Sequence, residues 1–351
     1  MNRLKKLPFK KPVKSLEVYK YLSEANLAIG ELKGVFDMIK YPQIILKLIS
    51  MGEAINSAAI EDIETNIEHS FKNNIVKSLI TNESQAITNY MRATNIAFND
   101  CVSNRKIEVS SLNRIQKLIE PDKTGIRKIP GSKIYNKVSK EVIYVPPKNE
   151  NAINDFYYNL EDYINHDLDH YDPLIRMAII HFQFECIHPY IDGNGRVGRI
   201  LNSIYLVHMK RISYPILNLS KYLRETRNQY FDLLYKCHND ITNLEEFVIY
   251  ILKGIRDTTN YTINLIHQIN RLIRQTNREM QKKLPAIYNE QIVIHLYKFI
   301  YTKNELFRTD LNLSRNTATK YLKELEKMGF LESEKVGKEV IYKNIQIQNI
   351  F

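Results

Sequence analysis

From about Leu16 to Cys101, apolar residues recur at three- and four-residue spacings, the signature of amphipathic helices. "EVYKYLSEANLAIGELKGVFDMI" and "PQIILKLISMGEAINSAAIEDI" predict two long helices separated at Pro42, and "NESQAITNYMRATNIAF" predicts a third. At Glu120 the pattern breaks. "EPDKTGIRKIPGSKIYNKVSKEVIYVPP" places Gly125, Pro130, Gly131, Pro146 and Pro147 around two β-prone runs, "KIYN" and "VIYVPP", which predict a hairpin turning near Lys137 to Lys140. Helical spacing returns in "NDFYYNLEDYINH", in "DPLIRMAIIHFQFECIHPY", where Pro173 suits a first helical turn, and from about Asn194 to Met209. After Pro285 the order is helix, short helix, helix and two strands, the last two turning at Gly337, which predicts a winged helix-turn-helix with Ser314 capping its recognition helix. The expected fold is mainly α, with a β-hairpin flap and a C-terminal winged helix. The expected segments are 1–105, 106–270 and 285–351.

Composition narrows the class. With 351 residues and 44% hydrophobic content the chain can bury a core across two or three domains. Cys101, Cys186 and Cys237 form no motif, which argues for a reducing compartment and against a disulfide framework or structural zinc. No run reaches the length of a membrane helix, and the basic start "MNRLKKLPFKKPVK" lacks the apolar run of a signal peptide, so the expected location is cytoplasmic. The formal charge of +11 suits an anionic partner, nucleotide or nucleic acid, and equally a lysine-rich solvated surface.

The chemistry concentrates in "IHPYIDGNGRVGRI", residues 187 to 200. Pro189 interrupts the preceding helix, Gly193-Asn194-Gly195 make a tight turn, and a new helix begins behind it. A glycine turn at a helix N-terminus directs backbone N–H groups and the positive end of the dipole outward, which makes an anion site suited to phosphate. Asp192 could hold Mg²⁺ against the same phosphates, since Mg²⁺ takes one or two carboxylates together with phosphate oxygens. Arg196 and Arg199 share the first turns and offer further donors. His188 stands where it could take a proton from an incoming hydroxyl. Glu185 and His188 also have the spacing of a di-metal carboxylate site, but no second such pair occurs, so Glu185 is expected to orient a neighbour or face solvent. A P-loop fails for want of Lys-Ser/Thr after the glycines.

"HPYIDGNGRVGR", residues 188 to 199, resembles the signature of the Fic family: His-Pro-Phe, two residues, Gly-Asn-Gly-Arg, two residues, Arg. Tyr190 in the Phe position is the departure. "SAAIEDIETN" resembles the family's inhibitory-helix motif, with Ser57 and Glu61 matching and Asp62 standing where Gly or Asn is usual. The hairpin falls at the family's flap, and "LSKYLRETRNQYFDLL" is similar to the helix that follows the catalytic one.

The resemblance implies transfer of AMP from ATP, with Mg²⁺, to a Ser, Thr or Tyr hydroxyl of a target protein or of the chain itself. It implies His188 as base, Asp192 as Mg²⁺ ligand, Gly193, Asn194 and Gly195 on the phosphates, and Arg196 and Arg199 on the β- and γ-phosphates. Glu61 would restrain transfer by pairing with Arg199, and in some members it also supports AMP removal. A homodimer is a family-level expectation. Tyr222 and Tyr230 are candidates for the base pocket or for helix packing. Two alternatives stay open: another donor (UMP or a phosphocholine headgroup), or a DNA-binding regulator with a sensing or self-modifying Fic domain. For the latter, Arg315, Asn316, Thr317, Thr319 and Lys320 would face DNA, although residues 290–351 carry ten Lys and Arg against eight Asp and Glu, with Glu324, Glu326, Glu332 and Glu334 near the expected surface.

Overall fold

The computed structural model describes residues 4–10, 13–64, 67–73, 75–76, 79–128, 134–135 and 142–347. The three helices expected in the N-terminal third are α1 (Leu16–Asp37), α2 (Pro42–Ile60) and α4 (Asn82–Asn104), with a short α3 (Ile67–Asn73) between the last two. Their boundaries follow from local chemistry. Ser15 caps α1 by accepting from the Val18 N–H, Pro42 occupies the first turn of α2, and Thr81 and Ser84 form a reciprocal capping box on α4.

α5 (Val109–Ile119) was not anticipated, although Val109, Leu112, Ile115 and Ile119 recur at helical spacing and are buried. The flap strands are β1 (Ile134–Tyr135) and β2 (Val142–Tyr144), paired antiparallel; the turn expected at Lys137 to Lys140 lies outside the described residues. α6 (Glu150–Asn165) precedes the two central helices, α7 (Pro173–Ile187) and α8 (Asn194–His208). α7 is buried from Leu174 to Ile187 on every face, and α8 is almost as enclosed. A helix enclosed on every face lies inside the bundle, so the dense stretch, which joins these two, sits at its heart.

α9 (Leu219–Glu225) and α10 (Arg227–Asn239) lead into α11 (Leu244–Lys283), one unbroken 40-residue helix. It packs along α1 and α7 and continues into the C-terminal region; residue 270, where the middle segment was expected to end, lies within it. There α12 (Glu290–Phe299), α13 (Asn304–Asp310) and α14 (Arg315–Lys327) accompany a three-stranded antiparallel sheet in the order β3 (Tyr301–Lys303), β5 (Glu339–Asn344), β4 (Leu331–Val336). Two of those strands were anticipated; the short β3 was not.

This region is fastened to α2, to the turn before it and to α3. Glu290 pairs with Lys40 at 2.7 Å, Lys47 donates to the Lys298 carbonyl at 2.9 Å, Tyr301 donates to Glu68 at 2.5 Å, and Lys72 pairs with Glu334 at 2.6 Å. Among the described residues no helix is long and apolar enough to cross a membrane.

Buried titratable groups make stability depend on pH. Burial pushes His181 and His238 down to about 3, and His188 and His295 down to about 4. Between pH 4.5 and 6.5 the unfolded chain therefore binds protons at four histidines that the fold keeps neutral. Two carboxyls oppose this: burial raises Glu53 and Glu185 to about 7, so the fold holds their protons where the unfolded chain does not. The difference, four against two, leaves the unfolded state with more protons, and stability falls on acidification. The urea midpoint is expected to be lower at pH 5 than at pH 7; an equal or higher midpoint would contradict this balance.

Candidate active site

The chain leaves α7 at Ile187, and His188 takes a left-handed conformation (φ 45°, ψ 60°) as the helix cap. Pro189 cannot continue the helix, and the loop closes on itself through Asn194. Its Oδ1 accepts the Tyr190 N–H at 2.8 Å and its Nδ2 donates to the Tyr190 carbonyl at 2.9 Å. The Asn194 side chain is thus committed to the loop, leaving its backbone N–H for an anion. Gly193 has φ 82°, a conformation glycine adopts at least cost, and a Cβ there would press on Glu120 and Ile119 at 3.2 and 3.4 Å. The Tyr190 hydroxyl, absent from a Phe, is buried but bonded, to Tyr157 at 2.7 Å and Asn113 at 2.9 Å. The departure at 190 is therefore accommodated by a local polar network rather than by the site.

His188 is half-buried, with its Nδ1 atom enclosed and lacking a hydrogen-bond partner among the described residues. Burial, then the nearby Arg127 charge, push its imidazole down to about 4. At neutral pH it is uncharged and can accept a proton. The flap reaches the same region: Tyr144 of β2 stacks on His238 with ring centroids 3.9 Å apart, and His238 Nδ1 lies 3.2 Å from Cys186 Sγ.

α8 starts one residue after the glycine, so the first-turn N–H groups have no helical acceptor and point out of the N-terminus. Asp192 stands at that mouth. Burial works against its ionisation, but Lys123, at 2.6 Å, and the Gly193 N–H, at 2.7 Å, hold its carboxyl below the usual range. Among the described residues no cluster of three metal-type side chains occurs. An ionised carboxylate at the edge of an anion cradle suits a Mg²⁺ that arrives on a nucleotide with most of its ligands already in place.

The two arginines do not act together. Arg196 turns toward Glu120 and Asp192, while Arg199 turns the other way into the N-terminal helices. Arg199 Nε donates to Ser57 Oγ at 2.7 Å; its Nη2 donates to the Ser57 carbonyl at 3.0 Å and to Glu61 Oε1 at 2.8 Å. Glu61 ends α2, and burial opposes its charge, but the charge of Arg199 and its hydrogen bond hold the carboxyl below its usual range. A Cβ on Gly195 would lie 2.3 Å from Glu61 Oε1, so the carboxylate rests directly on the first turn of α8. Asp62 has φ 62°, which explains why Gly or Asn suits that position; Asp tolerates it and pairs with Arg227 at 2.9 Å.

Other expectations are corrected by this geometry. Glu185 neither faces solvent nor orients a neighbour through Oε1, which is buried without a partner against Gly198. For the two tyrosines it is the packing alternative that the geometry favours: Tyr230 is buried and bonded to His181 at 2.9 Å, and Tyr222 lies against Gly254. Residues missed in the sequence are Gln116, Glu120, Lys123 and Arg127. Gln116 Nε2 donates to the carbonyls of Lys123 and Asp192 at 2.9 and 3.1 Å. All four lie on α5 or just after it.

A neutral histidine, an ionised carboxylate and a helix start with free N–H groups make a mouth suited to an anion within a helical bundle. Residues 107–206 match the family model described as Fic/DOC family, residues 19–99 match Fic/DOC family N-terminal, and residues 272–347 match the C-terminal domain of SoFic-like protein adenylyltransferases. The chain belongs to the Fic/DOC family.

Among curated relatives, it is 32% identical to protein adenylyltransferase Fic of Drosophila yakuba over 124 residues, 34% of this chain and 23% of that protein. It is 35% identical to protein adenylyltransferase fic-1 of Caenorhabditis elegans over 82 residues, 23% of this chain and 15% of that protein. The chain thus spans less than a quarter of either relative's length. Among solved structures, a Fic family protein from Desulfovibrio desulfuricans G20 superposes with a TM-score of 0.61 at 19% identity, covering 96% of this chain and 98% of that one. Fic-1 of C. elegans (residues 134–508) gives 0.53 at 17%, covering 70% of this chain and 72% of that one. At these identities the structures establish the fold.

Proposed function

We propose that this chain is a protein adenylyltransferase, moving AMP from ATP to a Ser, Thr or Tyr hydroxyl of a target protein or of itself. The observation that carries the reading is the start of α8, where His188, Asp192, the free N–H groups and Arg196 gather, with Arg199 on the same helix turned toward Ser57 and Glu61. His188 takes the acceptor's proton as its oxygen bonds to the α-phosphorus; the bond from that phosphorus to the bridging oxygen breaks, and pyrophosphate leaves. The N–H groups of Asn194, Gly195 and Arg196 meet the charge on the phosphates, and Arg196 and Arg199 hold the terminal ones once their carboxylate partners yield. Asp192 would hold Mg²⁺, which supplies charge neutralisation on the phosphates. Positioning and fixed positive charge suit a loose, charge-spread transition state. Glu61 restrains the reaction by occupying Arg199. The donor is tested by offering Glu61→Gly protein ATP, UTP or CDP-choline, each labelled at the transferable group: label from ATP alone supports adenylylation, and label from another donor alone would replace it.

A second reading, duplex DNA binding through a C-terminal winged helix, is favoured by one feature. α14 exposes Asn316, Lys320, Lys323 and Lys327 along one face. Two acids that sequence alone set against it are engaged elsewhere, Glu326 on the Ser333 N–H at 3.1 Å and Glu334 on Lys72. A salt-sensitive shift of a duplex would support this reading, and no retention at low salt would remove it.

A further inference from the structure

Arg127 touches none of the phosphate-site residues, yet its side chain is buried to 2% exposure beside His188. Its position is fixed from several sides. Gly125, at φ 89°, turns the chain inward and donates its N–H to Gln116 Oε1 at 3.0 Å. Ile126 then forms a bridge with Tyr190, and the Arg127 N–H donates to the Pro189 carbonyl at 3.0 Å. From this anchorage the guanidinium reaches three main-chain carbonyls. Nε donates to His188 at 2.7 Å, and Nη2 to Pro147 at 2.7 Å and to Ile187 at 3.4 Å. Nη1 is buried without a partner, and among the described residues no carboxylate pairs with the group.

Burying an uncompensated guanidinium is costly, and an apolar side chain would fill the same volume more cheaply. What the charge provides is donors at two places that must stay in register. One is the left-handed cap carrying His188, a conformation that residues with a Cβ hold only when their surroundings enforce it. The other is the segment following β2, the strand that Tyr144 fastens to His238. We infer that Arg127 is the positioning residue of the transfer reaction: it holds the His188 backbone in the left-handed cap and ties it to the flap, so that base and acceptor segment keep one geometry. This rests on His188 being the general base. A second effect follows from proximity, because a cation here disfavours imidazolium. Charged or titratable groups also facing His188 are Glu61 and Asp192, which favour the proton, and His238 behind it.

The test uses the full chain carrying Glu61→Gly, with Arg127→Gln and Arg127→Lys added separately and AMP transfer followed against ATP concentration and pH. Arg127→Gln is expected to lower kcat about 100-fold, the scale of an ångström's misplacement. KM for ATP should stay within about twofold, since the residue contacts no phosphate-site group, and the acid limb of the kcat profile should move to higher pH. Arg127→Lys keeps the charge but not the fork, so it should leave the acid limb in place and restore only part of the rate. Urea midpoints identify any variant that fails to fold. If Arg127→Gln does, Arg127→Lys decides alone: reduced kcat at unchanged KM supports the inference, and parental kcat overturns it. Labelled parent with unchanged kcat and acid limb in folded Arg127→Gln, or with a raised KM alone, would also overturn it. An unlabelled parent would instead overturn the transfer reading, and this inference with it.

Discussion

Glu61→Gly is expected to raise incorporation of label from α-phosphate-labelled ATP by at least about tenfold over the unsubstituted protein. The reason is competition for one side chain. Arg199 is buried at 3% exposure, and its Nε and Nη2 donors are directed by α2 and its cap: Ser57 through hydroxyl and carbonyl, Glu61 through its carboxylate. In the proposed reaction a terminal phosphate would need the same guanidinium. A tenfold rise requires the pair to favour the restrained state by only about 1.4 kcal/mol. That is within the range of a charge-assisted hydrogen bond, even when discounted because 37% of the Glu61 side chain is exposed. Removing the carboxylate leaves α2 intact, since Glu61 caps the helix through its backbone N–H, which bonds to Ala58 and Ala59. Glu61→Gln, which keeps the size and a hydrogen bond but loses the charge, should fall between the two. Equal labelling in all three would mean that Arg199 is not the limiting contact.

His188→Ala and His188→Asn, each placed in the Glu61→Gly protein, are expected to cut labelling by at least about 100-fold, the usual contribution of a positioned general base. The pair of substitutions separates chemistry from folding. Ala at φ 45° is strained, whereas Asn adopts the left-handed region readily and keeps the loop. Because His188 is half-buried and neutral, with Nδ1 unbonded, replacing it by Asn should cost little stability at pH 7, and near-parental urea midpoints with lost labelling would assign the loss to the base. Labelling that persists in folded His188→Asn would assign proton removal to another group.

The sequence was most legible where chemistry and backbone geometry coincide. "HPYIDGNGRVGR" needs a proline break, a glycine at positive φ and a helix start, and each is visible in residue type. The pairing of Ser57 and Glu61 with Arg199, 142 and 138 positions away, came only through the family resemblance, since spacing carries no information at that range. Glu120, Lys123 and Arg127 were missed because their partners are main-chain atoms or charges brought close by tertiary packing. The clue available was α5, whose apolar spacing at Val109, Leu112, Ile115 and Ile119 ends beside them. The length of α11 was hidden for a different reason: polar Thr258, Thr259, Thr262 and Thr276 are buried within it, and two of them return their hydroxyls to its own carbonyls, so its apolar stripe looks interrupted.

The most direct test of the central claim compares two labels on one nucleotide. Glu61→Gly protein is incubated with Mg²⁺ and ATP labelled at either the α- or the γ-phosphate, then denatured and counted. Adenylylation predicts protein-bound label from the α-position and none from the γ-position, with the α-label lost in His188→Asn. Protein-bound γ-label would mean phosphoryl transfer instead, and its appearance would contradict the account.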